Sequence, residues 1–368
     1  MLERDVHNSA SIIERYQPQP LLSNINQAKK IASCYHLPIE DVVFLALNCS
    51  GVYDESGLER GRFTLTCFSG NEYRFALTLS EKPLSPFRLN NGFLFLADQA
   101  IGLVTDVESD TCTDSYYRRD KRHLTLNSNS RSQCCGCRFC GTYSLERDDQ
   151  LLTTSFAIRR KVVQLANARK NGFRDLDSIG VVTGCFSDEG ELVDHLLMIR
   201  KEFDREGFRG EIQYIGAQLR SIEAIEKLIA SGSFAYYLSV ECFDRREEMM
   251  KEAKASLTLE DGARLLEQAR SMGAETSFLY IVGLDSIESF KNKLPLFSNV
   301  VTRLPQFQTF QVYQPEQITV RCPEACDLDY YLRIRKVVEN TFPNLRPDVG
   351  LNYRGLWYSE YAGQPITK

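Results

Sequence analysis

The sequence predicts an α/β protein: a partial (β/α)6 TIM-type barrel preceded by a small β-rich N-terminal module. Three observations carry this reading. From residue 123 onward, six apolar runs of strand length alternate with helical stretches, which implies a parallel sheet with helices outside. Between residues 62 and 107 the pattern switches to period two, the signature of half-buried strands. The stretch CCGCRFC places Cys134, Cys135, Cys137 and Cys140 directly after the first of the six runs. Folds of this kind bind ligands there, outside the carboxyl ends of their strands.

Taken in order, residues 1–60 read as helical and irregular, with two short amphipathic segments in NINQAKKIASCYHLPIEDVVFLAL and Pro38 near the break. RFTLTCF, the turn SGN and EYRFALTLS read as a hairpin, and NNGFLFLA and IGLVTDVE as two more strands. HLTLN (123–127) is a strand leading into the cysteine loop. SFAIRRKVVQLANARKNG is a helix ending at Asn171-Gly172. SIGVVTG (178–184) is a buried strand, followed by a helix with Leu192, Leu196, Ile199 and Phe203 on one face. EIQYIG (211–216) is the third strand. Ser221 N-caps a helix that turns Ile222, Ile225 and Ile229 inward. FAYYLSVE (234–241) is the fourth strand. Thr258 opens the next helix, with Asp261 three residues on, and Gly273 closes it. ETSFLYIVG (275–283) and QFQTFQVYQ are the fifth and sixth strands, and LDYYLRIRKVVENTF is a last helix. The domain reading is therefore 1–120 for the N-terminal α+β module with β-hairpins, 121–320 for the partial barrel, and 321–368 for a C-terminal helix and tail.

The 368 residues carry a net charge of −5, which argues against nucleic acid as the bulk electrostatic partner. The basic, aromatic YYRRDKRH (116–123) reads as a solvated connector into the barrel, with RNA contact as its alternative. The N-terminus has no apolar h-region and no run of about 18 apolar residues follows, so the expected setting is cytoplasmic, with no membrane partner. In a reducing compartment, twelve cysteines are expected as buried thiols and metal ligands rather than disulfides. His123 and His195 read as structural or exposed.

Cys134, Cys137 and Cys140 form C-x2-C-x2-C, with Cys135 left over. Zinc usually takes ligands in separated pairs so that four donors can wrap it, and the nearest second pair, Cys322 and Cys326, lies far along the chain. Three thiolates in one tight loop suit a polynuclear iron–sulfur cluster better. A redox C-x-x-C would leave the third cysteine unexplained.

These features resemble the radical S-adenosylmethionine (SAM) enzymes over about residues 121–320: a first strand, a cysteine-rich loop with Phe139 before its last cysteine, and a six-fold βα pattern. The resemblance implies a [4Fe–4S] cluster on Cys134, Cys137 and Cys140, with SAM beside it. The family spacing is usually C-x3-C-x2-C, so either the first gap is contracted onto Cys134 or the loop is remodelled to use Cys135; the reading here takes Cys134. The second strand of the family ends in Gly-Gly-Glu, and here it ends Thr183-Gly184-Cys185, with Glu189 as a substitute for the missing carboxylate. By the same resemblance Ser239 and Glu241 face the SAM ribose or carboxylate, Arg245 or Arg246 pairs with the carboxylate, and Ile281 and Gly283 lie near adenine. Cys322 and Cys326 are candidates for a second iron–sulfur cluster.

The implied activity is reductive cleavage of SAM to methionine and a 5′-deoxyadenosyl radical, fed by a donor such as flavodoxin or ferredoxin. The radical would take hydrogen from a small polar metabolite in natural-product or sugar-nucleotide biosynthesis. Modification of RNA or of a peptide is the alternative within the family. A zinc-stabilised protein without catalysis is the alternative outside it.

Overall fold

The structure is a computed structural model and describes residues 20–81, 85–110, 114–118, 121–128, 137–141, 154–348 and 353–358. Two helices open it, Ile25–Tyr35 and Ile39–Ser50. Asn24 caps the first by accepting from the Gln27 backbone N–H. Pro38 sits at the N-cap of the second, where its missing N–H costs nothing.

Six strands follow: β1 (Val52–Tyr53), β2 (Arg60–Cys67), β3 (Glu72–Ser80), β4 (Phe87–Asn90), β5 (Phe93–Leu96) and β6 (Gln99–Ser109). They close into a barrel in the order β1-β3-β2-β6-β5-β4. Closure removes the open edges that four unpaired strands would leave. The expected hairpin is β2–β3, paired from Arg60↔Thr78 to Thr66↔Glu72. Asn91 and Gly92, both at positive φ, make the two-residue turn between β4 and β5, the conformation such hairpin turns require. Phe63, Leu65, Phe75, Leu77, Phe87, Leu94 and Leu96 fill the barrel interior and its contact with the helix Ile39–Ser50.

The second sheet has seven strands in the order β13-β12-β11-β10-β9-β8-β7. They are β7 (Tyr116–Tyr117), β8 (His123–Ser128), β9 (Ser178–Thr183), β10 (Glu211–Gly216), β11 (Phe234–Glu241), β12 (Glu275–Val282) and β13 (Gln306–Thr309). All neighbours from β8 to β13 pair in parallel, and β7 is an antiparallel addition to β8. Helices Ser155–Asn167, Glu189–Arg205, Ile222–Ala230, Leu259–Ser271 and Ile287–Lys293 cross between successive strands. The alternation of side chains along a strand divides the sheet in two. Leu124, Ile179, Val181, Tyr214, Tyr236, Phe278, Tyr280 and Phe307 join the core beneath the helices. Asn127, Val182, Ile215, Ser239, Ile281 and Gln308, one from each parallel strand, line a single cavity on the other face. A sheet whose first and last strands share a cavity wall is curled.

The expected caps are present: Ser221 accepts from Ala224 N–H, and Thr258 from Asp261 N–H. Two boundaries differ. The first barrel helix stops at Asn167, and Gly172, at φ 59, closes a later turn in which Arg169 Nε donates to the Gly172 carbonyl at 2.8 Å. The sixth strand stops at Thr309, whose N–H donates to the Arg354 carbonyl at 2.8 Å. Beyond it, Gln311 reaches up to the first module, donating to Asn48 Oδ1 at 3.2 Å and to the Ala76 carbonyl at 3.0 Å. A period-two reading cannot see that tertiary contact end the strand.

The last helix, Leu328–Thr341, returns to the first module through a buried ion network. Arg335 donates to Asp41 at 2.7 Å and to Glu339 at 2.8 Å, and the Arg335 side chain is fully buried. Among the described residues no helix is long and apolar enough to cross a membrane.

Candidate active site

Cys134 and Cys135 lie outside the described residues; Cys137, Phe139 and Cys140 lie within them. Residues 137–140 form one tight turn, closed by the Cys140 N–H donating to the Cys137 carbonyl at 3.0 Å. The turn is pinned from two sides. The Arg138 N–H donates to the Met249 carbonyl at 2.9 Å. Gln317 Nε2 donates to the carbonyls of Arg138 and Cys140 at 2.9 and 3.1 Å. The same Gln317 accepts at Oε1 from the Tyr313 N–H at 2.9 Å, so one buried amide ties the cysteine turn to the chain leaving β13.

Around the turn is an apolar cluster separate from the main core: Cys137, Phe139, Cys242, Met249, Ile281 and Phe310, with Cys140 packed against it. Burial pushes the Cys137 thiol up, while the Lys254 ammonium and the Lys251 backbone N–H pull against that shift.

Beside the turn, at the carboxyl ends of the six parallel strands, lies a cavity of about 290 Å³. Phe139 and Cys140 line it, with Thr183, Gly184, Ser239, Glu241 and Ile281. Seven of the eleven candidate site residues therefore meet there. Gly184 and Gly216 mark the ends of β9 and β10 on its wall. At Gly216 a Cβ would stand 2.1 Å from the Tyr214 hydroxyl oxygen, so only glycine fits against that ring.

Glu241 is buried, at φ 67, in a left-handed conformation uncommon for anything but glycine. It follows a register shift against β12, where Ser239 pairs with Leu279 and Glu241 with Tyr280. Such a bulge re-aims the chain at the sheet rim. Its carboxylate accepts from Lys254 Nζ at 2.8 Å.

The other candidates stand elsewhere. Cys137 is in the turn but behind the cavity wall. Arg245 forms a two-point pair with Glu248 at 2.9 and 2.7 Å, donates to the Val320 carbonyl, and is not on the wall. Arg246 donates to the carbonyls of Val240, Cys242, Lys254 and Leu257, holding the segment after β11 in place. Gly283, at φ 117, also stands off the wall; its carbonyl accepts from the Cys322 N–H at 2.8 Å. Glu189 bridges two loops, its Oε1 accepting from Ser221 N–H at 2.8 Å and from Arg220 N–H.

The expectation of a second cluster at Cys322 and Cys326 is not supported. Cys322 is buried and Cys326 exposed, and among the described residues no group of three or more His, Cys, Asp or Glu gathers to hold a metal. Cys322 instead N-caps the turn Pro323–Cys326 beneath Gly283.

The connector reading of 116–123 is corrected for its first residues; Lys121 and Arg122 are exposed, and 119–120 lie outside the described residues. Tyr116 and Arg118 line the cavity, together with Arg60 and Asp110 of the first module and Tyr353 and Arg354 of the C-terminal segment. Residues of the first module and of the segment 353–354 thus roof the site. Lys251 and Lys254 were missed as well; their only local signal is a pair of lysines one helical turn apart in KEAK.

His195 is structural, as expected, and tied to the site. Its Nε2 lies 2.8 Å from Oγ of Ser128, the fully buried last residue of β8 and the root of the cysteine loop. Burial alone lowers its pKa from 6.5 to about 4. The unfolded chain then binds the extra proton between about pH 6.5 and 4, so this histidine's contribution to stability is complete above 6.5 and lost as pH falls through that window. The expected loss approaches about 3 kcal/mol at pH 4, at up to about 1.4 kcal/mol per pH unit. Urea unfolding of wild type and His195→Gln from pH 4 to 7 checks it: the variant should show a shallower pH dependence.

No family model and no curated protein matches this chain. Solved structures do. The chain is similar to coproporphyrinogen III oxidase (HemN) from Escherichia coli, described as a radical SAM enzyme, with TM-score 0.42 and 16% identity over 63% of this chain and 62% of that one. It is similar to TsrM from Kitasatospora setae, a radical SAM methyltransferase with cobalamin and a [4Fe–4S] cluster bound, with TM-score 0.34 and 15% identity over 45% and 33%. SuiB from Streptococcus suis, bound to its precursor peptide SuiA, gives TM-score 0.36 and 16% identity over 51% and 38%. The matches span less than two-thirds of the length of each of those proteins.

Proposed function

We propose that this chain is a radical SAM enzyme acting on a small polar metabolite. The observation that carries the reading is the placement of Cys137 and Cys140 in one pinned turn at the mouth of six parallel strand ends, beside a cavity. The donor set fits an iron–sulfur cluster. Two thiols of a C-x2-C-x2-C run sit against sulfur-rich apolar packing, and Cys134, three residues before Cys137 in the sequence, is the third of the set.

Cys134, Cys137 and Cys140 would hold a [4Fe–4S] cluster, which would supply the electron for reductive cleavage of SAM. The rest is the work of this chain. Thr183 and Gly184 offer backbone groups to the SAM amine. Ser239 and the Glu241–Lys254 pair face its ribose and carboxylate, and Ile281 gives the adenine an apolar wall. Phe139 and Cys140 share the cavity wall, and the pins from Gln317 and Met249 keep the turn rigid. Arg245 and Gly283 stand behind this wall and support it.

We further assign residues 1–120 to the roof, 121–320 to the catalytic half-barrel and 321–368 to the closing helix and tail. A roof of this kind excludes water from a reactive radical. The net charge of −5 favours a small polar metabolite, as in natural-product or sugar-nucleotide synthesis, over an RNA, with a peptide as the alternative substrate. A flavodoxin or ferredoxin in the cytoplasm would supply electrons.

Metal and sulfide analysis of anaerobically reconstituted protein tests this reading. About four irons with matching sulfide are expected for each chain. One tightly held zinc in a colourless sample would replace the enzyme with a zinc-stabilised binding protein.

A further inference from the structure

Gln311, two residues past the end of β13, lines the cavity and is only 2% exposed. The direction of its amide is fixed by a chain of hydrogen bonds through three parts of the protein. The Gly355 carbonyl can only accept, so the Tyr358 hydroxyl donates to it at 2.6 Å. That hydroxyl accepts in turn from Asn48 Nδ2, which also donates to the Phe44 carbonyl at 3.2 Å. Asn48 therefore turns its oxygen to Gln311. Gln311 Nε2 donates to Asn48 Oδ1 at 3.2 Å and to the Ala76 carbonyl at 3.0 Å. Reversing the Gln311 amide would set its oxygen against two acceptors.

Both Nε2 hydrogens are thus used inside the protein. Among the described residues no donor reaches Gln311 Oε1, although that oxygen is buried. A buried acceptor without a donor is a standing cost to the fold, removed when a ligand supplies the hydrogen. Gln308, three residues back, lines the same cavity. Its Oε1 accepts from Arg354 Nη2 at 2.8 Å, and a guanidinium can only donate, so Gln308 keeps its Nε2 hydrogens for the cavity. Ala76 is on the wall as well, which places Gln311 where the half-barrel meets the first module. This stretch of wall therefore offers one acceptor and one donor, both neutral and of fixed polarity.

We propose that Gln311 selects the substrate by accepting at Oε1 from one of its hydroxyl groups, while Gln308 donates to an oxygen of the same molecule. The ligand class is a neutral polyol or sugar, because hydroxyl groups supply both the donor for Gln311 and the acceptor for Gln308. This deepens the reading of the cavity as the substrate chamber of a radical SAM enzyme and rests on it. An analogue that keeps the oxygens and loses their hydrogens leaves Oε1 buried and unpaired. Sites built to hydrogen-bond a hydroxyl reject such analogues strongly for that reason.

The probes are two matched pairs, glycerol with its trimethyl ether and methyl α-D-glucopyranoside with its tetramethyl ether. Each ether keeps the acceptors of its parent and none of the donors. Binding is followed by saturation-transfer NMR with full-length protein, without SAM or reductant. Wild type should bind the alcohol of at least one pair saturably, at least about tenfold more tightly than its ether. Gln311→Met should abolish that preference. Gln311→Lys, which retains a donor for Asn48 and Ala76 and lacks only the acceptor, should abolish it too, with melting curves showing which variants are folded. Gln308→Met should weaken alcohol binding by a smaller factor. SAM binding to iron-loaded protein should be the same in wild type and Gln311→Met. No alcohol bound by wild type, alcohol and ether weakened equally by the Gln311 variants, or SAM binding lost in Gln311→Met overturns the proposal. The proposed enzyme class fails separately: alcohol-selective binding by a protein that takes up no iron would sink the radical reading and leave the Gln311 site standing.

Discussion

Alanine in place of Cys137 or Cys140 is expected to abolish iron retention, cutting it from about four atoms per chain to less than about one after desalting. Each change removes a thiolate from a set of three, and Cys242, a buried thiol of the same apolar cluster, is held high by burial and by Asp285. The fold should survive. The turn is pinned by backbone groups and by Gln317, none of which involves a thiol. Cys242→Ala is the matched control. It removes a fully buried sulfur from the same cluster, so it should cost about 1 kcal/mol or more of stability while leaving iron in place. Iron lost equally from all three variants would mean that general loosening, and not ligation, explains the effect.

The largest effect on stability is expected far from the cavity. Arg335 is fully buried and joins three parts of the chain. Its partner Asp41, on the second helix, also accepts from the Tyr358 N–H at 3.0 Å. Its other partner, Glu339, also accepts from Trp357 Nε1 at 3.0 Å. Replacing Arg335 by methionine leaves two buried carboxylates without their cation, at a cost of about 3–5 kcal/mol. The urea midpoint should fall accordingly. Adding Asp41→Asn to Arg335→Met should restore part of the loss, because the stranded charge is removed with its partner. The C-terminal segment carrying Tyr353 and Arg354 leads into Trp357 and Tyr358, so Arg335→Met should also loosen its place over the cavity.

What was legible in the sequence was local. The strands of the half-barrel, the N-caps Ser221 and Thr258, and the cysteine turn follow from periodicity and spacing within a few residues. Gly184 and Glu241 follow from their place at the carboxyl ends of parallel strands, which must converge on one rim, whereas Thr183, Ser239 and Ile281 come from the resemblance to radical SAM enzymes. The roof was not legible. Tyr116 meets Tyr353, and Gln311 meets Asn48 and Ala76, across more than 200 residues. No local pattern distinguishes such a tyrosine or arginine from a solvated one. Arg245 misled for a related reason. Its spacing from β11 matched, but Glu248, one helical turn on, takes its guanidinium instead. The second cysteine pair misled because spacing alone does not reveal that one thiol is buried and its neighbour exposed.

The central claim is that Cys137 and Cys140, with Cys134, hold a cluster that splits SAM at the mouth of this half-barrel. The most direct measurement is the yield of 5′-deoxyadenosine from SAM when reconstituted protein is reduced with dithionite under anaerobic conditions. Wild type should form the nucleoside in an amount that scales with its iron, and Cys140→Ala should form none above the protein-free background. Brown, iron-loaded wild type that leaves SAM intact, or nucleoside formed equally by wild type and Cys140→Ala, would contradict the account.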